Sequence, residues 1–171
     1  IEMGDYLALV GHLPYKEDVL QHINKRILGQ DIHVGDATQN NSVYLSTKEI
    51  EVANNVTKRK TWRGYILVAP KSVPIYQTMS TEQFNEYRIE NIIPHQGYEI
   101  TPQVHPLACG LGHLVHEAKG CYIGQEILAR MRSRGRQGKE LVRLKNPVNN
   151  ATTIGKTHSL SIVRTKRSKN D

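Results

Sequence analysis

No apolar run in this chain is longer than about five residues, and turn formers close the longest of them: Tyr6–Val10 stops at Gly11, and Tyr65–Ala69 at Pro70. Blocks of that size make single strands or one face of a short helix. They fall far short of the roughly 18–20 apolar residues of a membrane span, so the expectation is a soluble, mixed fold without a membrane partner. Residues 5–10 read as a buried strand and Tyr65–Val68 as a strong one, with strand-like pieces at 31–35 and 42–46. Between Tyr15 and Leu28 the apolar positions Val19, Leu20, Ile23 and Ile27 recur at helical spacing, with Glu17 and Asp18 in the first turn and Gly29 beyond the last. Residues 47–61 read as a polar excursion, and Thr81–Ile92 as helix or strand. Pro94, Gly97, Pro102, Pro106 and Gly110 make 93–110 an ordered loop region, a helical run follows at Gln125–Met131, and two strands are expected at Lys139–Lys145 and Ile154–Val163. Helices and strands interleave without a regular βαβ rhythm, which gives the class α+β.

The charge is local. The 171 residues carry a net +7, yet residues 1–129 hold 11 Lys and Arg against 14 Asp and Glu. The excess comes from 130–145, where Arg130, Arg132, Arg134, Arg136, Lys139, Arg143 and Lys145 face one acid, and from the basic tail after Lys156. Such a run attracts an anionic ligand or partner. Nucleic acid is weakly supported, because aromatic residues are 6% of the chain and none is interleaved with these arginines. Two cysteines, Cys109 and Cys121, cannot make a disulfide framework, so the chain reads as intracellular.

Residues 119–126, Lys-Gly-Cys-Tyr-Ile-Gly-Gln-Glu, concentrate the chemistry. Gly120 and Gly124 loosen the backbone around a thiol and a phenol. Cys121 stands near Lys119 and a helix start, and both place positive potential near the sulfur. The bland reading is a small buried cysteine in a glycine turn, which an isolated Gly-Cys would favour.

The whole octapeptide resembles the signature of the folate-binding YgfZ family, within the glycine-cleavage T-protein (aminomethyltransferase) superfamily. Arg88-Ile89-Glu90, Ile93-Pro94, Gly97, Glu99-Ile100 and Pro106 resemble the stretch before that signature, and Ala129-Arg130, Arg134-Gly135 and Leu141-Val142 the stretch after it. The similarity covers most of residues 5–145. It implies a T-protein-like fold, a ferredoxin-like part packed on a β-rich part with an abbreviated C-terminal β-barrel. It also implies a folate-binding core at 1–138 and truncated barrel strands with a basic tail at 139–171.

By the same resemblance the ligand is tetrahydrofolate or a related folate, and the partners are iron–sulfur client or assembly proteins, with a possible link to tRNA modification. Glu90 matches the carboxylate that contacts the pterin, with Arg88 beside it, and Cys121 is the candidate reactive group. Lys119, Tyr122 and Gln125 shape the pocket, and Arg130 and Arg134 meet anionic groups. The expected compartment is the cytoplasm, or the mitochondrial matrix in a eukaryote. Departures are also present. Gly11-His12 stands where the aminomethyltransferases have Asn-Ala, and His116-Glu117-Ala118 replaces an arginine cluster. Both favour an accessory factor over the alternative, a folate-dependent aminomethyl- or methyltransferase. The chain begins at Ile1, inside what the family would have as an earlier portion, and is expected to be a fragment or a reduced relative. A third reading is a metal- or nucleic-acid-binding module. Cys109, His113, His116 and Cys121 are borderline or soft ligands within thirteen residues but lack a Cys-x-x-Cys knuckle, so no metal ligand is assigned.

Overall fold

Six strands and three α-helices carry the regular structure of the computed structural model, which describes residues 1–76, 78–116, 118, 120–133 and 138–165. The class is α+β, with two three-stranded antiparallel sheets. The chain divides into two compact units, Ile1–Tyr76 and Gln77–Asp171. Among the described residues no helix is long and apolar enough to cross a membrane.

In the first unit, β1 (Asn41–Ser46), β2 (Thr57–Thr61) and β3 (Gly64–Pro70) form a sheet with β3 in the centre. The near-continuous apolar run of β3 suits a strand flanked on both edges. Thr61 pairs with Gly64, so Trp62 and Arg63 form the turn that brings in β2 from the expected excursion. Gly64 sits at φ +125°, and a Cβ there would lie 2.5 Å from the Ser46 carbonyl oxygen, so this close approach requires glycine. Val56, Leu67 and Ala69 form the core, with Tyr44, Val52, Val73 and Ile75 packed on it. On the opposite face, Val43 keeps 53% of its surface exposed.

Residues 5–10 are not a buried strand. Only an isolated Glu2–Leu7 bridge forms, and Tyr6, Leu7 and Leu9 are 62%, 75% and 72% exposed. The Ala8 N–H donates to the Ile1 carbonyl and the Met3 N–H to Tyr6, so this segment folds back on itself rather than adding to a sheet edge. Residues 31–35 also form no strand. The helix expected at 15–28 is shorter, α1 (Lys16–Asn24), entered through a 3₁₀ turn at Leu13–Tyr15. None of its residues is buried, so no packing extends it towards Gly29. Lys16 pairs with Asp36 at 2.9 Å, and that ammonium, together with Thr38, holds the Asp36 carboxyl well below its usual range.

In the second unit, α2 (Thr81–Glu90) opens with a capping box: the Ser80 hydroxyl accepts from the Gln83 N–H while the Gln83 side chain accepts from the Ser80 N–H. That local signal decides the helix-or-strand ambiguity. The helix closes in a Schellman pattern, with Ile93 N–H donating to the Arg88 carbonyl at 2.8 Å and Ile92 N–H to Ile89 at 3.4 Å. The left-handed position belongs to Ile92, at φ +51°, where glycine is usual. Beyond the ordered loop and a 3₁₀ turn (Leu111–Leu114), α3 (Gln125–Ser133) buries Leu128 but leaves Ile127 60% exposed.

β4 (Lys139–Lys145), β5 (Thr153–Ile154) and β6 (His158–Arg164) then form an open sheet with β6 in the centre. The single strand expected at 154–163 is broken after Ile154, because Gly155–Thr157 makes a turn in which Gly155 N–H donates to His158. Ile89 of α2 packs with Leu141, Leu160 and Ile162. No closed barrel is present among the described residues.

Candidate functional site

One face of α2 and the β5–β6 turn line an open concavity of about 520 Å³, with Ser80, Glu82, Gln83, Glu86, Tyr87, Glu90 and Lys156 at its surface. Glu82, Glu86 and Glu90 recur every four residues and therefore share one side of the helix. The protein already uses two of these carboxylates. Glu82 accepts from the Ser80 hydroxyl at 2.8 Å, and that bond draws its carboxyl below the ordinary value. Glu86 accepts from the Lys156 backbone N–H at 2.6 Å, which ties the turn to the helix. Gly155 makes this approach possible, since a Cβ there would lie 2.6 Å from Ile89 Cδ1. Glu90 is exposed and has no hydrogen-bond or ion-pair partner among the described residues.

Arg88 points the other way. Two residues along a helix turn the side chain by about 200°, so Arg88 and Glu90 cannot line one surface. Arg88 is fully buried and pairs with the fully buried Glu99 at 2.9 Å. Its guanidinium also donates to the Ile93 carbonyl, the Asn85 amide oxygen and the Thr153 hydroxyl, at 3.2, 3.0 and 2.8 Å. Nε has no hydrogen-bond acceptor among the described residues, and the rings of Tyr98 and Phe84 lie 5.1 and 5.8 Å from Cζ. Glu99 accepts from Thr152, Thr153 and the His95 N–H at 2.7, 2.6 and 3.0 Å. Burial pushes its carboxyl pKa up, but these bonds and the Arg88 charge outweigh that and hold it below the ordinary value. The sequence gives little notice of this network, because Glu99 lies in a Pro- and Gly-rich loop and its hydroxyl partners are more than fifty residues away.

The segment at 120–126 is laid out differently from the concavity, and none of its residues lines it. Cys121 is exposed and Tyr122 half-buried, the Tyr122 carbonyl accepting from the Gln125 N–H as α3 begins. Gly124, at φ +84°, is the glycine that this turn needs; Gly120 is not in the left-handed region. Lys119 and Arg134 lie outside the described residues. Arg130 is exposed in the last turn of α3, while Arg132 donates to the Gly112 carbonyl at 2.7 Å and so docks the helix on the 3₁₀ segment.

Cys109 is buried, its thiol donating to the Glu99 carbonyl at 3.1 Å, and burial first and the Glu99 charge second raise its pKa. Such a thiol is a packing group. Among the described residues, no three His, Cys, Asp or Glu side chains come together as a metal cage, so Cys109, His113, His116 and Cys121 do not gather into a tetrahedral set. Sequence reasoning missed Tyr87 and Lys156; the signal for the second was Gly155 interrupting the strand alternation. No protein-family model matches the chain, and no curated protein matches it.

Proposed function

We propose that this chain is a folate-binding accessory protein of the YgfZ type, with a T-protein-like fold, that serves iron–sulfur cluster assembly or repair in the cytoplasm or mitochondrial matrix and has a link to tRNA modification. The octapeptide Lys119–Glu126 and the upstream Arg88-Ile89-Glu90 support this reading. The observation that carries it is Glu90: of the three carboxylates at the concavity, it alone has no partner within the protein among the described residues. An ionised carboxylate so placed can accept paired hydrogen bonds from the aminopyrimidine edge of a pterin. Tyr87 offers a ring beside it. A bound tetrahydrofolate would supply one-carbon or reducing chemistry, and this chain's residues would hold and orient it. Arg88 supports the site from inside the protein, by fixing α2. Cys121, exposed before α3, is the candidate reactive group.

Calorimetric titration of the whole chain with tetrahydrofolate tests the ligand assignment. Glu90→Ala should weaken binding about 10- to 100-fold, the scale of a lost hydrogen bond to a charged group at ~1.5–3 kcal/mol. Equal heats for the two proteins would remove Glu90 from the site. For Cys121, alkylation by an iodoacetamide probe no faster than that of a free thiol would remove the activation argument.

A further inference from the structure

The concavity on α2 holds two charges with no partner among the described residues, and they are opposite in sign. Glu90 is one. The other is Lys156: its ammonium has no partner among the described residues, although its backbone N–H is held by Glu86 at 2.6 Å. The two are not joined in an ion pair. The backbone that carries the lysine is held in place. Gly155 allows the turn to touch Ile89, Glu86 anchors the next residue's backbone, and the Asn146 amide donates to the Gly155 carbonyl at 2.7 Å. Glu86 and Glu90 are four residues apart, a rise of about 6 Å along the helix, and the four-carbon lysine stem extends the reach further. A surface offering a carboxylate at one end and an ammonium at the other suits a ligand with a donor-rich heterocycle and an acidic tail.

We infer that Lys156 is the cation that receives the glutamate carboxylates of the folate tail, so that this concavity selects among folates by their tails. The inference rests on the folate reading above and adds to it a specificity residue away from the signature octapeptide. It also moves the anion-binding role from the arginines at 130–145 to a turn seated on the same helix as Glu90. Among the described residues, Lys156 is the one cationic side chain at the concavity, whose other charged groups are carboxylates. With three carboxylates against one ammonium this lining is net negative, so Lys156 is where an acidic tail reaching it finds a counter-charge.

The test is calorimetry on the whole chain with tetrahydrofolate triglutamate, tetrahydrofolate monoglutamate and a tail-less tetrahydropterin. The proteins are wild type, Lys156→Gln, Lys156→Glu and Glu90→Ala. Wild type should favour the triglutamate over the tetrahydropterin. Lys156→Gln should reduce that preference about five-fold, the upper end for an exposed ion pair, and Lys156→Glu should abolish it. Neither lysine variant should change binding of the tetrahydropterin, whereas Glu90→Ala should weaken all three ligands alike. Because Glu86 holds the Lys156 backbone, both lysine variants keep the anchored turn. A tail preference that survives Lys156→Glu, with Glu90 still required, overturns the role of Lys156 and leaves the folate reading standing. Failure of all three ligands to bind wild type overturns both.

Discussion

The two units of this chain are held together by different physics. In Ile1–Tyr76 the core is a small apolar cluster around Leu67 on one face of a three-stranded sheet, and α1 buries nothing. In Gln77–Asp171 an apolar cluster of similar size is joined by a buried ion pair whose partners come from α2, the following loop and β5. Apolar packing is non-directional and tolerates adjustment. The polar network is directional and fails when one member is lost. The difference teaches where precision is kept: the unit carrying the candidate site is the one that fixes its helix with angular, not merely areal, interactions.

The strongest way to break this contrast is Glu99→Ala, which leaves Arg88 buried without its counter-charge. We expect a loss of about 3–5 kcal/mol in urea denaturation. In hydrogen exchange, the amides of α2 and β5–β6 should lose protection before those of β3; simultaneous loss in both units would end the distinction. The Glu99 carboxyl is depressed in the folded protein, so its contribution is full above the ordinary value of 4.5 and is lost as pH falls through the folded value. Acid titration of stability should show that step in wild type, and Glu99→Gln should flatten it. Next in size is Leu67→Ala in the other unit, which should cost about 2–3 kcal/mol by cavity formation, with β3 amides affected first. The smallest effect has the opposite sign. Ile92→Gly relieves a β-branched residue of its left-handed backbone, and should raise the denaturation midpoint by the equivalent of about 0.5–1 kcal/mol. Unchanged or lowered stability would show that the Ile92 side chain contributes more contact than strain.

Local signals were legible in the sequence. The apolar run at 65–69, the alternation at 139–145 and the Pro- and Gly-rich loop at 93–110 each appear as expected, because short-range pattern determines them. Residues 5–10 carry an equally apolar pattern but form no sheet strand, since pairing depends on a partner edge that the pattern does not specify. The Ser80–Gln83 capping box is itself a local pattern, and it decides for a helix where the periodicity of 81–92 is mixed. At the site, Glu90 could be singled out from its motif, yet its neighbour Arg88 faces inward for a reason that lies in Glu99 and Thr153. Contacts of that kind, across eleven and sixty-five residues, leave no local trace.

A cylinder resting on aliphatic contacts alone can roll on its support at small cost. One whose side bears a planar group gripped by four separate oxygens, as Arg88 is, cannot roll without releasing several of them together. The azimuth of α2 is thereby set from behind. Whatever meets Glu90 on the solvent side finds the root of that side chain already directed, and the ordering of that direction has been accomplished in folding.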